Sequence, residues 1–283
     1  MKETNDSRQP RAESQEDGAI AVATDDRLRY DSSHWAREAD EQKALDDYLK
    51  LGDKVYNRTK FKLFMSLAGD VRGKRILDFG GGAGIVSVPY AKAGAHVTIV
   101  DAEANALRTA RLYADREGVG ERVETIQALS VPASLQTTRF DIVVAKDIVE
   151  HVPEDEQLLR DLARCQAPGG TMLLSTQNSQ SLNYLIEGSY QKYWCGNKGW
   201  LGWDSTHVRF YTSASLRGKL KRAGYRANRW ASVFVVPYDI LSWLFLGKVR
   251  FEVPALHHID LTLGRVFPFN RFGWNVIVRA TRT

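Results

Sequence analysis

The sequence predicts an α/β fold: a mostly parallel sheet of seven strands with helices on both faces, a helical cap in front and an inserted lid. Three observations predict it. Short apolar runs alternate with amphipathic stretches of helical period between Arg75 and Thr176. A glycine cluster, Gly80-Gly81-Gly82-Ala83-Gly84, follows the first apolar run directly. An acid, Asp101, closes the second run 21 residues after Gly80. Strands joined through helices of this length pair in parallel, and the crossovers cover both faces.

Taken in order, the expected strands are 75–79, 96–100, 123–127, 140–145 and 172–176, with helices over 85–93, 104–117 and 154–165. Pro168-Gly169-Gly170 reads as the turn into the fifth strand. The alternation then stops, and residues 177–212, rich in Asn, Tyr, Trp and Gly, read as an insertion above the strand ends. Thr212 or Ser213 is placed to cap a helix running to 223, which Gly224 ends. Runs at 231–236 and 274–280 complete the seven strands. Ahead of the sheet, residues 1–27 are polar and lack periodicity, which predicts a disordered tail. Residues 28–70 carry Trp35, Leu45, Tyr48, Tyr56, Phe61, Phe64 and Leu67 at three- and four-residue steps, a helical cap over the ligand cleft. The remainder, 71–283, reads as one domain.

Composition bounds the function. With 43% hydrophobic and 26% charged residues the chain reads as an ordinary globular protein. Cys165 and Cys195 stand in no spacing that suggests a disulfide framework or structural zinc. No apolar region follows the first charges as in a secretory signal, and the most apolar stretch, 233–247, is too short to cross a bilayer and contains Pro237 and Asp239. A cytoplasmic setting is expected, with peripheral membrane contact as a further reading. From Arg217 onward there are twelve Lys/Arg against three acids, Asp239, Glu252 and Asp260. That bias means either a solvated basic face or attraction to an anionic substrate or membrane surface. Residues 233–251 join Phe234, Tyr238, Trp243 and Phe245 to basic ends at Arg229, Lys248 and Arg250. Such a segment can lie in a membrane interface, pack beside the last strand, or close a homodimer.

Glycine between a strand and a helix permits positive φ and lets backbone approach a ligand closely. Asp101 stands where a carboxylate accepts hydrogen bonds from ribose hydroxyls. A nicotinamide enzyme shares these features, but Ile85 occupies the place of the third glycine of the dinucleotide G-x-G-x-x-G pattern. A ligand without a pyrophosphate does not need that third close approach.

Residues 75–176 resemble the core of class I S-adenosylmethionine (SAM)-dependent methyltransferases, with their Rossmann-like sheet. The likeness is nearest to the ubiquinone-biosynthesis O-methyltransferases and other small-molecule methyltransferases. LDFGGGAG is similar to the family's first motif, FDIVVAKDIVEHV to its fourth-strand motif, and APGGTMLLST to its fifth-strand approach. The resemblance implies strand order 3-2-1-4-5-7-6 with an antiparallel last strand, and SAM as cofactor. It implies that Asp78, Gly80, Gly82 and Gly84 surround the methionine part of SAM, that Asp101 holds the ribose, and that Ala102 lies against the adenine. An acid often found after the third strand is absent, so adenine recognition falls to backbone, Gln127 or Ser130. Lys146 follows the fourth strand at the cofactor edge. Asp147, Glu150 and His151 resemble a divalent-metal site of the ubiquinone group; a packed turn without metal is the reading preferred at this stage. His207, with Asp204 beside it, is the expected general base, or else a pair that bonds the loop together. Tyr184, Tyr190, Tyr193, Trp194, Trp200 and Trp203 supply an aromatic lid or plain core. The expected reaction is methyl transfer to a hydroxyl of a small or lipid-like molecule. N- or C-methylation, and SAM binding without turnover, stand as alternatives. Nucleic acid is not an expected partner, because no Asn/Asp-Pro-Pro-aromatic run follows the fourth strand.

Overall fold

The computed structural model describes residues 35–200, 202, 204, 206–238 and 253–283. The expected tail and residues 239–251, including Trp243 and Phe245, lie outside the described residues, as does Trp203.

Seven strands form one sheet in the order β3-β2-β1-β4-β5-β7-β6. They are β1 (Arg75–Phe79), β2 (His96–Asp101), β3 (Val123–Gln127), β4 (Phe140–Lys146), β5 (Gln166–Gln177), β6 (Tyr225–Val233) and β7 (Asn275–Arg282). β1 pairs in parallel with β2 and β4, and β7 is antiparallel to both β5 and β6. All strands except β7 therefore end at the same edge, and β1 and β4 open that edge between them because the chain reverses its direction of travel across the sheet there.

Alternation along the strands divides the core. Leu77 and Phe79 of β1 face α5 (Asp155–Arg164) and α7 (Ser213–Arg222), where Leu158, Leu159, Leu162, Leu216 and Leu220 are buried. Ile76, one residue out of phase, joins the opposite cluster. That cluster takes Leu63, Phe64 and Leu67 from α2 (Val55–Ala68), Tyr90 and Ala91 from α3 (Ser87–Lys92), and Leu107 and Ala110 from α4 (Ala104–Arg116). The other cap helix, α1 (Glu41–Gly52), is started by Asp40, whose carboxylate accepts from the N–H groups of Gln42 and Lys43.

Two elements differ from expectation for physical reasons. Pro168-Gly169-Gly170 is not a turn ahead of β5 but a break inside it. Gln166 already pairs with Phe140, residues 167–170 bulge out, and pairing resumes at Thr171 against Ile142. β6 begins at Tyr225, six residues earlier than expected (231 − 225), because exposed Arg226, Asn228 and Arg229 interrupt its apolar pattern. It is the outer strand, where charged side chains are tolerated and guard a free edge. Its end is abrupt: Phe234 adopts φ 61, and the buried Asp260 carboxylate accepts the Phe234 and Val235 N–H groups at 2.8 and 3.0 Å.

The insertion leaves and rejoins the sheet at one place, closed by a bridge between Asn178 and Tyr211. Within it, Ser181 caps α6 (Leu182–Ser189), which runs into a π-helical turn over Tyr190–Trp194. Thr212 and Ser215 form the capping box that starts α7. Tyr211, Arg209 and Lys219 all converge on buried Asp155, fastening the base of the insertion to α5.

Candidate active site

The glycine loop turns at the C-terminal end of β1 with Gly80, Gly82 and Gly84 at φ 72, 53 and 81. A Cβ on Gly80 would sit 2.8 Å from the Ile148 side chain, whereas one on Gly82 would meet nothing within 4 Å. Gly82 thus presents bare backbone to open space, which is the shape a closely approaching ligand requires. Its N–H donates to Asp101 Oδ2 at 2.8 Å, and Glu103 N–H donates to Oδ1 at 2.9 Å. Beneath the loop, Asp78 is buried and accepts from Ser87 Oγ at 2.7 Å, while its Oδ1 has no partner. Burial pushes its pKa up to about 6. Gln127 Nε2 donates to Ala102 O at 3.0 Å, tying the end of β3 to the turn after Asp101.

The cap contributes directly. Tyr48 Oη accepts the Ile85 N–H at 3.0 Å, and a cavity of about 110 Å³ lies between Tyr48, Asn57, Lys60, Phe61, Ile85 and Lys146. Lys60 is 3% exposed and ion-paired with Asp147. Asp147 stands at φ 54 just past β4 and also accepts from Ser175 Oγ and Asn275 Nδ2, each at 2.8 Å. Burial opposes its ionisation, but the charges of Lys60 and Lys146 outweigh burial and hold its pKa well below the carboxylate range. Burial pulls Lys60 down to about 8 against the attraction of Asp147. Asp147→Ala should leave the Lys60 ammonium buried without its carboxylate. We expect a loss near 3 kcal/mol in chemical denaturation, the low end for breaking a buried pair because Asp147 is itself partly exposed. The Lys60→Met, Asp147→Leu double variant should recover most of that loss; additive losses would contradict the pairing.

On the insertion side of the same edge, Glu150, His151 and His207 come together with their ligand atoms within 4.8 Å of one another. Glu150 is fully buried; its Oε2 accepts from Thr176 Oγ1 at 2.8 Å and its Oε1 has no partner. Burial, then repulsion from Asp147, pushes its pKa up to about 8. The His151 and His207 rings lie 4.7 Å apart, and burial lowers the pKa of both. His207 is 5% exposed, with Gln177 Nε2 at 3.3 Å from its Nε2 and no partner for Nδ1.

One expectation is corrected here, and two that stood open are narrowed. Asp147 does not join Glu150 and His151, because Lys60, Ser175 and Asn275 already engage its carboxylate; His207 takes the third place. Asp204 does not orient His207 by a hydrogen bond, since Oδ2 stands 3.9 Å from Nε2. Its Oδ1 instead accepts from Thr206 N at 2.9 Å and Thr206 Oγ1 at 2.6 Å. That hydroxyl has one proton, so with it given to Asp204, His151 Nδ1 must be the donor across the 2.8 Å contact to Thr206. The Nε2 lone pair of His151 is then free. Finally, the aromatic lid divides. Tyr184 packs on Trp200 and Phe210, and Phe210 on His207 and Trp274, whereas Tyr190, Tyr193 and Trp194 are 53%, 86% and 85% exposed.

Sequence reasoning did not single out Lys60. A signal was present: it lies on the same helical stripe as Tyr56, Leu63, Phe64 and Leu67, and a lysine on an apolar stripe marks a buried charge.

A family model described as a methyltransferase domain matches residues 53–228, more than half of the chain, the glycine loop and Asp101 included. The chain belongs to the class I SAM-dependent methyltransferases. Among its relatives, a ubiquinone biosynthesis O-methyltransferase of Aeromonas salmonicida is 34% identical over 183 residues, 64% of this chain and 74% of that protein. One of Bordetella avium is 34% identical over 130 residues, 46% of this chain and 54% of that protein. The matches thus span from about half to three quarters of those relatives. Among solved structures, magnesium protoporphyrin IX methyltransferase from Synechocystis with bound SAH is 16% identical with TM-score 0.55, covering 86% of this chain and 96% of that one. The [4+2]-cyclase SpnF is equally distant, at 16% identity and TM-score 0.56, covering 82% and 84%. At such identity the likeness is one of fold, and the fold alone does not choose a reaction.

As a methyltransferase of this family, the enzyme uses SAM. The residues present fit it: Gly82 leaves the space, and Asp78 Oδ1 is an unfilled acceptor directly beneath the loop.

Proposed function

We propose that the enzyme transfers a methyl group from SAM to a hydroxyl of a small or lipid-like molecule. The observation that carries this reading is the convergence of Glu150, His151 and His207 at the strand edge that also carries the glycine loop. SAM supplies a methyl group already activated on a sulfonium, so the protein's work is to hold the acceptor in line, exclude water and take one proton. A hydroxyl is a poor nucleophile until it gives up its proton, and an imidazole with a depressed pKa is neutral and able to accept one across the neutral range. Phe210 packs edge-on against His207, and Tyr184 and Trp274 pack on Phe210, giving the cluster an aromatic wall on that side. The hydroxyl-methylating relatives support O- over N- or C-methylation.

A second reading of the same cluster makes Glu150, His151 and His207 the ligand set for a divalent ion, with His207 a ligand in place of a base. Two buried atoms without partners, Glu150 Oε1 and His207 Nδ1, fit that role, and one carboxylate with two imidazoles suits zinc or a first-row transition ion better than magnesium. Such an ion would lower the pKa of an acceptor hydroxyl. The lipid-like acceptor is supported by the insertion, where Leu185, Ile186, Tyr190, Tyr193 and Trp194 are exposed on one helix and the turn that follows it. Apolar and interfacial side chains so placed can meet a membrane surface from which an amphiphilic acceptor enters. Among the described residues no helix is long and apolar enough to cross a membrane.

The test is transfer of labelled methyl from SAM to paired acceptors, a phenol or catechol with and without an alkyl tail against the matching aniline. Turnover of the hydroxyl compounds, greater with the tail, is expected. Turnover of the aniline alone would replace O- by N-methylation. A rate indifferent to chelator keeps His207 as the base; a rate lost on chelation and restored by zinc or manganese makes the cluster a metal site with His207 as a ligand, the proton then leaving to solvent.

A further inference from the structure

β6 is the outer strand of the sheet, and its free edge borders a pocket of about 520 Å³. Ser66 at the end of α2, Arg229 and Trp230 of β6, and Arg265, Asn270 and Arg271 from the segment before β7 line it. No carboxylate is among the lining residues, and among the described residues Arg229, Arg265 and Arg271 form no ion pair. Three arginines therefore line one concavity, and among the described residues no ion pair balances them.

An exposed arginine needs no counter-ion, and Arg229 and Arg265 alone would read as a solvated face. Arg271 does not fit that reading. Its guanidinium lies 4.0 Å from the Trp230 ring centroid, with Arg217 5.9 Å from the same ring. Burial, then repulsion from Arg217, pulls its pKa down to about 10. Arg271 Nε and Trp230 Nε1 are both buried without a hydrogen-bond acceptor, and Trp230 is 4% exposed. Both atoms are donors only, so what would satisfy them is an acceptor-rich, negatively charged group. The planar fork of guanidinium matches the paired oxygens of a phosphoryl group. Four strand spacings, roughly 19 Å, separate β6 from β1 and its glycine loop, so this is not an extension of the cofactor cleft.

We propose that the pocket at the outer edge of β6 binds a phosphate- or pyrophosphate-bearing ligand through Arg229, Arg265 and Arg271. The ligand neutralises the arginine cluster and supplies oxygens to the unpartnered donors. Two sources carry this chemistry: a free phosphorylated molecule, or the headgroup of an anionic lipid.

The full-length enzyme is titrated calorimetrically with inorganic pyrophosphate, and in parallel with S-adenosylhomocysteine. Saturable one-to-one pyrophosphate binding that weakens with salt is expected. The Arg229→Ala, Arg265→Ala double variant should bind at least tenfold more weakly. Arg271→Lys, which keeps the charge but loses the fork and the stack on Trp230, should also bind more weakly. Unchanged S-adenosylhomocysteine affinity and unfolding midpoint in these variants show that the fold and the cofactor cleft are intact. Co-sedimentation with phosphatidylglycerol vesicles, competed by pyrophosphate and absent with phosphatidylcholine, assigns the ligand to a lipid headgroup; pyrophosphate binding without vesicle binding assigns it to a free molecule. Absence of binding to both, or binding that the variants leave intact, overturns the proposal.

Discussion

Replacing Gly82 by valine should abolish binding of S-adenosylhomocysteine in isothermal titration. Two costs coincide at this residue. Its φ of 53 lies in the left-handed region, which a β-branched side chain tolerates poorly. Its Cβ would also project into space that no protein atom fills within 4 Å, the space the cofactor needs. Gly118, at φ 70 beyond α4 and likewise without neighbours, separates the two effects. Gly118→Val carries the backbone strain alone and should destabilise the fold while leaving the cofactor affinity intact. Asp101→Ala should weaken binding by roughly 1–3 kcal/mol, the worth of a hydrogen bond to a charged group. It also frees the Gly82 N–H that the carboxylate holds at 2.8 Å, so the loop loses its outer support. Undiminished affinity in both Gly82→Val and Asp101→Ala would move the cofactor site elsewhere.

The second large effect is expected at His207. His207→Ala should keep its affinity for S-adenosylhomocysteine and lose about 10²–10⁴-fold in turnover of the hydroxyl acceptor, the usual worth of a positioned base. Burial, then the neighbouring His151, lowers the His207 pKa below its ordinary 6.5, so the neutral imidazole persists into mildly acidic solution. The acid limb of kcat/KM should therefore lie below pH 6.5 in the wild type. It should vanish or move in His207→Gln, which retains shape but accepts no proton. Near-normal turnover in both variants would leave proximity and orientation as the whole of catalysis, or pass the proton to His151, whose Nε2 lone pair the Asp204–Thr206–His151 chain leaves free.

The cofactor half of the enzyme was legible in the sequence because its chemistry is local. Strand, glycine loop, helix, strand and acid follow one another between Arg75 and Asp101, and backbone conformation at each step is dictated by the residue present. The strand order followed from resemblance, and the observed order agrees with it. The start of β6 was hidden because an edge strand is free to carry charge on its open side, and alternation is then lost.

The polar cluster at the end of β4 is different, since it is assembled across distance. Lys60 and Asp147 are 87 residues apart, and Asn275 reaches the same carboxylate from 128 residues away. Adjacency in sequence suggested that Asp147 belongs with Glu150 and His151, and that Asp204 and His207 act as a pair. Geometry decided otherwise, because a buried cation takes the nearest carboxylate and a turn captures its own hydroxyl first. The amino-acid sequence alone thus determined the alternation of strands and helices and the glycine loop, and its likeness to a family supplied the strand order. Only the tertiary structure decided which imidazoles and which carboxylate meet at the sheet edge, because side chains from β4, β5, β7, α2 and the insertion compete there for the same few partners, and burial makes every unpaired charge too costly to leave.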